Sequence, residues 1–349
     1  AGVSGVSLMD MVNNLIFSVL AALATGGTVV VSQYLGANRI SQARDASNQV
    51  VLTVFSGATI LALLIAIGRK GLLALLFGSI EADVMDAALT YLVVSVISYP
   101  FLGLYNAYAA LFRAMGKTSV TFYTSIVGNI LNIAGNAICI FGLHMGVLGV
   151  AIPSLISRAV MALILCIRLK NPAHPLSIPR LSFRPEMEQI RKILYIGIPG
   201  GIENALFQGG RVLVVSIISL FGTTQIAANG IANNLDTMGC MVGQAMNLAM
   251  VAVIGRCAGA LDHTQIRYYT KKLMIFTYLA TAVVNITILT NLPFLLSLYG
   301  LSKETTDLAF RLVMIHNGCA MILWPVSFVL PNMLRACNDV KFPMGIAIF

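Results

Sequence analysis

Few ionisable side chains fall inside the apolar segments of this chain, and three of them could exchange a cation or a proton. Glu203 lies about eleven residues into one segment, and Asp236 and His316 lie at a similar depth in two later ones. With a rise of about 1.5 Å per helical residue, all three come within reach of the bilayer midplane. An acid–imidazole set at one depth is typical of a proton relay or a cation site.

Glu203 has the most unusual local sequence of the three. Pro199, Gly200 and Gly201 precede it, and such residues weaken a helix and free backbone carbonyls that could coordinate a cation. A carboxylate within hydrocarbon costs several kcal/mol, so it is a functional candidate by default. We therefore predict ion or proton coupling, with Na+ as one candidate ion, at Glu203, Asn204 and Gln208. The alternative is a structural glutamate satisfied by those two amides or by a neighbouring span.

The other ionisable residues of this half have alternative roles of their own. Asp236 and His316 either take part in coupling or only form local hydrogen bonds. Arg211 lies nearer the outer end of its segment, where it either supplies a counter-charge in the substrate cavity or extends to the membrane interface.

In the first half, polar side chains form a stripe on one predicted helix. Asn129, Asn132 and Asn136 are spaced i, i+3, i+7 and so share a face. Amides inside a membrane either hold helices together or line a water-filled cavity, and both interpretations stay open. Arg158, in the next segment, could face the stripe, so we predict these four residues as lining of a substrate cavity.

The composition is that of an all-α, polytopic membrane protein. Of its 349 residues 58% are hydrophobic and 10% are charged, with a mean hydropathy of +0.87. Soluble domains carry about 25% charged residues. The six cysteines are scattered, without a CxxC pair or a histidine at metal spacing, so neither a disulfide framework nor a zinc site is indicated.

Nine apolar segments have the length of a transmembrane helix. They lie near 8–34, 46–76, 87–112, 120–142, 147–169, 193–220, 225–254, 271–298 and 305–334. A further apolar stretch begins near 342, and the chain starts without Met. We therefore expect the chain to be part of a longer protein.

The basic residues indicate the orientation. Of the 22 lysines and arginines, 16 fall in one alternating set of connections, which includes Arg180, and four fall in the opposite set. Because cytoplasmic connections are enriched in Lys and Arg, the first span should start outside. Acidic residues such as Glu81 gather on the outer side. The net charge of +9 is thus a topology signal, and we expect no nucleic-acid partner.

The two halves of the sequence resemble each other. Asn13-Asn14-Leu15 pairs with Asn233-Asn234-Leu235, Leu35-Gly36-Ala37 with Ala258-Gly259-Ala260, and Arg113 with Arg335, at offsets of 220–223. Six predicted spans separate the partners, so the halves have parallel topology. We predict an N-terminal lobe, 1–169, a proline-rich, extended cytoplasmic linker, 170–192, and a C-terminal lobe, 193–349.

Four stretches of the chain, in order, resemble the multidrug and toxic compound extrusion (MATE) family. They are Val31-Ser32-Gln33-Tyr34-Leu35-Gly36-Ala37, Phe112-Arg113-Ala114-Met115-Gly116-Lys117, Met145-Gly146-Val147-Leu148-Gly149-Val150-Ala151-Ile152, and Gly197–Gln208 followed by Phe221-Gly222-Thr223. Each motif is modest, but their order and spacing together are specific. The likeness extends over nearly the whole chain.

The resemblance implies twelve helices in two six-helix lobes, of which this chain holds the second to the tenth and the start of the eleventh. It also implies export of cationic, amphipathic compounds in exchange for Na+ or H+. Asn136 stands where proton-type members carry an aspartate, and an amide cannot titrate. Sodium-type members carry a seventh-helix acid one turn from Glu203 and close to Gln208. The resemblance therefore favours a coupling site in the second lobe.

Three functions are consistent with the sequence. The first is a secondary antiporter in the cell membrane, a monomer that exports organic cations or drugs by alternating access. The second is a flippase for lipid-linked precursors from the same superfamily, which would have more basic residues in its cavity than Arg158 and Arg211. The third is a membrane receptor or assembly protein without transport activity. Because no Walker, HExxH or GxSxG motif is present in the sequence, we predict neither an enzyme nor a bound cofactor.

Overall fold

Helices account for all the regular secondary structure in the part of the chain that the computed structural model describes, residues 2–77, 82–179 and 181–348. Glu81 and Arg180 lie outside these residues. The helices are α1 (Gly2–Gly36), α2 (Ile40–Phe77), α3 (Ala82–Ala114), α4 (Thr118–Ala137), α5 (Leu148–Leu169), α6 (Met187–Ser219), α7 (Thr223–Gly259), α8 (His263–Thr290), α9 (Leu292–Ser297), α10 (Lys303–Trp324), α11 (Pro331–Ala336) and α12 (Lys341–Ile348). Single π-helical turns, Ile138–Gly142 and Pro325–Val329, follow α4 and α10.

Eight stretches of the described helices are long and apolar enough to cross a membrane, which confirms an all-α, multi-pass membrane protein. They correspond to every predicted span except the sixth. The helix at that place, α6, has 33 residues, so its length suffices. Its glycines and polar residues around Glu203 make it less apolar than the others.

The chain divides into two compact units, and the division falls inside α6. The first unit is Ala1–Ala205 and the second is Leu206–Phe349. In the first, α3 packs on α1, α2 and α5, and in the second α7 packs on α8 and α10. The predicted lobes, 1–169 and 193–349, remain a prediction, since the compact units are divided at another point.

The turns that follow α1 and α3 in the first unit have the same backbone conformation as the turns that follow α7 and α11 in the second. Asn38 and Leu261, 223 residues apart, have φ of 57° each, and Gly116 and Asn338, 222 apart, have φ of 76° and 68°. The residue after each of them donates a backbone hydrogen bond to the carbonyl five positions earlier, as a Schellman-type helix end requires. Equal offsets in sequence and in turn geometry confirm the parallel repeat.

The connection between α5 and α6 is packed against the first unit. Its Leu176 is fully buried, and the Arg44 Nε donates a 2.9 Å hydrogen bond to the Pro175 carbonyl. The Lys117 Nζ donates a hydrogen bond to the His174 Nδ1 at 2.8 Å. Burial, and then the charges of Lys117 and Arg168, lower the pKa of His174 from its usual 6.5. This differs from the extended linker that the sequence suggests, and residues 187–192 are already the first turns of α6.

Two buried amides of α2 hold this connection by hydrogen bonds to its backbone. Asn48 Nδ2 donates to the Ser182 carbonyl at 2.8 Å, and its Oδ1 accepts from the Ser182 N–H at 3.0 Å. Gln49 bonds in the same way to the Arg184 carbonyl (2.9 Å) and to the Glu186 N–H (3.2 Å). Each amide side chain thus bonds to one backbone carbonyl and one backbone N–H, as a neighbouring β-strand would.

Asn48→Ala should release the connection from α2, because the Ser182 N–H and carbonyl lose their partners. Leaving buried polar groups unpaired costs about 1–3 kcal/mol, so backbone amides in 181–186 should exchange with deuterium at least about tenfold faster. Gln42→Ala, which truncates an exposed amide of the same helix, is the matched control. Unchanged exchange in Asn48→Ala would show that the bonds are dispensable.

Candidate functional site

Asp236 and His316 form an ion pair within the second unit. The His316 Nδ1 lies 2.9 Å from the Asp236 Oδ1, joining α10 to α7. The Cys240 thiol, one turn further along α7, also donates to Oδ1 at 3.3 Å. The Asp236 side chain is only 18% exposed whereas that of His316 is 61% exposed, so the imidazole connects a half-buried carboxylate with the surface of this unit.

Arg211 adds a positive charge to this cluster. Its Nη2 donates to the Asn233 Oδ1 at 3.2 Å, and Asn233 precedes Asp236 by one helical turn. The guanidinium attracts the Asp236 carboxylate without bonding to it. Arg211 is itself exposed, so its two predicted roles, a counter-charge in the substrate cavity or a side chain that extends to the membrane interface, both stay predictions.

A buried pair of amides fixes the helices next to the ion pair. Asn317, which follows His316, donates from Nδ2 to the Asn285 Oδ1 at 2.9 Å, and Asn285 donates to the Gly239 carbonyl at 3.2 Å. Both asparagines have no exposed surface. A Cβ at Gly239 would lie 2.4 Å from the Asn285 Oδ1, so only glycine allows α7 to approach α8 this closely. These bonds set the spacing of the helices that present Asp236 and His316.

The predicted coupling residues of α6 are divided between the two compact units. Glu203 and Asn204 belong to the first unit, and Gln208 belongs to the second. Glu203 and Gln208 are partly buried, whereas Asn204 is exposed and donates to the Ser18 carbonyl of α1 at 3.4 Å.

The predicted asparagine stripe bonds to α5 through one of its three members, and a second member bonds to that one. Asn132 Nδ2 donates to the Ser154 Oγ at 3.0 Å, and Asn136 donates to the Asn132 Oδ1 at 3.2 Å. Asn129 is exposed. This chain of bonds joins α4 to α5, one turn away from Arg158.

Arg158 lies near a cluster of polar side chains that sequence reasoning missed. The Arg158 Nη1 donates to the Ser98 hydroxyl of α3. Nearby on the same helix, the Tyr99 hydroxyl donates to the Asn13 Oδ1 at 2.8 Å, and the Tyr91 hydroxyl lies 3.5 Å from the Asp10 Oδ1. One signal was available, because Asp10 is the first acid of the chain and precedes Asn13 by one turn.

The chemistry that these groups can perform is binding and proton exchange. Within the described residues, no group of three or more His, Cys, Asp or Glu side chains could hold a metal ion. Asp236 with His316 can take up and release one proton. Arg158 can bind an anionic group.

Comparison with known proteins identifies the relatives of this chain. The family model described as MatE matches residues 1–138 and 199–349. The uncharacterized transporter YisQ of Bacillus subtilis (strain 168) is 28% identical, over 99% of this chain and 76% of YisQ. The probable multidrug resistance protein YoeA of the same organism is 25% identical, over 96% of this chain and 73% of YoeA.

Solved structures show the same fold. One, described as the outward-facing conformation of a multidrug resistance MATE family transporter of the MOP superfamily, superposes with a TM-score of 0.91 at 18% identity. The match covers 99% of this chain and 77% of that one.

Proposed function

Because the chain belongs to the MatE family, a family of transporters rather than of enzymes, we propose that it exports organic cations and drugs across the cell membrane in exchange for protons. Eight stretches of the described helices that are long and apolar enough to cross a membrane, and two compact units with a parallel repeat, support alternating access. The clustering of basic residues supports a cytoplasmic location for the connection between α5 and α6. The two compact units within one chain support a monomer as the transporting unit.

The observation that carries the coupling mechanism is the Asp236–His316 pair. Proton uptake converts a carboxylate beside a neutral imidazole into a carboxylate beside an imidazolium, and the second state holds α7 and α10 together more strongly. A ligand shifts a conformational equilibrium only by its difference in affinity for the two states. A proton that strengthens the Asp236–His316 contact meets this condition, because it favours the lobe arrangement in which this contact is formed.

A proton suits this site better than a sodium ion. Both neighbours of the Asp236 Oδ1, the His316 Nδ1 and the Cys240 Sγ, donate hydrogen bonds to it. Hard cations require several oxygen ligands, whereas a nitrogen and a thiol supply none. These contacts support H+ as the ion coupled at Asp236 and His316.

Transport in proteoliposomes separates the two ions. With ethidium as the exported cation, an imposed pH gradient should drive efflux faster than a Na+ gradient of equal size. We expect a difference of at least about fivefold, the lower end of the typical coupling between two sites. A greater response to Na+ would assign the coupling elsewhere. Absence of ethidium transport under both gradients would contradict the drug-exporter function and favour the lipid-linked precursor flippase, which a fluorescent-lipid translocation assay in the same vesicles would then test.

Glu203 is the second acid assigned to coupling. Glu203→Gln keeps the shape of the side chain but cannot titrate, so gradient-driven ethidium efflux should be abolished while the protein remains folded by size-exclusion chromatography. Glu188→Gln, an exposed acid of the same helix that pairs with Lys192, is the matched control. Efflux at the wild-type rate in Glu203→Gln would leave coupling to Asp236 and His316 alone.

A further inference from the structure

We propose that the first unit contains a subsite for the carboxylate of a zwitterionic organic substrate, with Arg158 as its ligand and Asp10 facing the substrate's ammonium group. This subsite rests on the proposed export function and specifies the substrate class. It lies in the outer half of the bundle formed by α1, α3 and α5.

The charge of Arg158 is not neutralised by direct contact with an acid. A guanidinium within a membrane bundle is costly and normally pairs with a carboxylate. Among the described residues, no carboxylate oxygen forms an ion pair with Arg158 within 4.0 Å. Its hydrogen-bond acceptor is the neutral hydroxyl of Ser98.

The remaining donors of Arg158 are accessible. A guanidinium carries five N–H donors in a planar fork, and Ser98 accepts from one nitrogen, Nη1. Among the described side chains, the buried nitrogens that lack a partner include the Arg113 Nε but none of Arg158. Arg158 is partly exposed, so the free edge of its fork keeps some accessible surface.

Asp10 limits the ligand to one that carries both charges. Asp10 and Arg158 both approach α3, since the Asp10 Oδ1 lies 3.5 Å from the Tyr91 hydroxyl and Arg158 donates to Ser98, seven residues later on that helix. The Tyr99 hydroxyl, which could also serve Arg158, is bonded to Asn13. A carboxylate fits the planar fork in two parallel hydrogen bonds. A doubly charged phosphate would leave excess negative charge beside Asp10, so a zwitterion with one carboxylate and one ammonium suits the site best.

Transport of a matched pair of compounds tests the subsite. A fluorescent fluoroquinolone is a zwitterion, and its methyl ester keeps the ammonium but lacks the carboxylate. Arg158→Lys keeps the charge and removes the fork, so the KM for the zwitterion should rise about tenfold while the KM for the ester stays within about twofold of wild type. Arg168→Lys, an exposed arginine of the same helix, should change neither.

The other outcomes overturn the subsite or the wider function, and each is recognisable. An equal change for both compounds would show that Arg158 has a structural role, and no change for either would show that it does not contact substrate. If wild-type protein transports neither compound, the export function fails. Equilibrium dialysis of the zwitterion against wild type and Arg158→Lys still decides the subsite in that case, since about tenfold weaker binding to the variant supports it and equal binding refutes it.

Discussion

Asp236→Asn is expected to abolish proton-driven efflux, with a fall of about a hundredfold or more, the usual effect of removing a group that transfers a proton. Asparagine keeps an oxygen at the place of Oδ1, so His316 and Cys240 can still donate to it. It cannot hold a negative charge, so a proton gains nothing by binding to His316. The measurement is ethidium efflux from proteoliposomes under a pH gradient.

The same Asp-to-Asn change at a position outside the membrane core controls for folding. Asp262 accepts a hydrogen bond from the Gln265 N–H at 2.9 Å and caps α8. Asparagine caps helices as well as aspartate does, so Asp262→Asn should transport normally. His316→Gln should reproduce the Asp236→Asn loss, because an amide donates a hydrogen bond but does not titrate. Efflux in Asp236→Asn that still follows the pH gradient would exclude the pair from coupling.

Sequence reasoning could bring Asp236 and His316 to one depth but not into contact. The rise per helical residue fixes depth, whereas the direction of a side chain around the helix axis depends on which neighbour the helix packs against. Here the glycine at 239 and the amides Asn285 and Asn317 decide that packing. None of the three carries a charge that draws attention in a sequence.

Asp10 is a second residue whose neighbours in the fold cannot be read from the local sequence. Sequence reasoning did not single it out, and nothing in the local sequence connects it with Arg158, 148 residues later. The two approach because α3 packs on both α1 and α5. Tyr91 and Ser98, seven residues apart and so on one face of α3, lie between them.

Features set by chain connectivity were easier to predict. The parallel repeat was visible from three short matches, and the positive φ angles of Asn38 and Leu261 confirm it. The linker was harder, because its prolines suggest an extended chain and do not reveal the buried amides of α2 that hold it. Its binding partner, Asn48, stands 134 residues before Ser182.

Gly26→Ala is expected to give the largest structural effect, because α1 and α6 meet backbone to backbone at this residue. A methyl group at Gly26 would lie 2.6 Å from the Ile193 carbonyl oxygen and 2.8 Å from the Gly197 nitrogen. Membrane helices associate through small residues that permit such approach. Neither atom belongs to a side chain that can rotate away, so α6 must shift, at a cost of about 1–3 kcal/mol or more.

Thermal unfolding of the purified protein in detergent, followed by size-exclusion chromatography, measures this cost. Gly68→Ala in α2 is the matched control, because a methyl group there meets no atom within 4 Å and alanine favours the helix by up to about 1 kcal/mol. The two variants should therefore move the melting temperature in opposite directions. Because Glu203 lies on the helix that Gly26→Ala displaces, efflux should fall with it. If both variants melt at the wild-type temperature, α1 and α6 do not pack at the distance described.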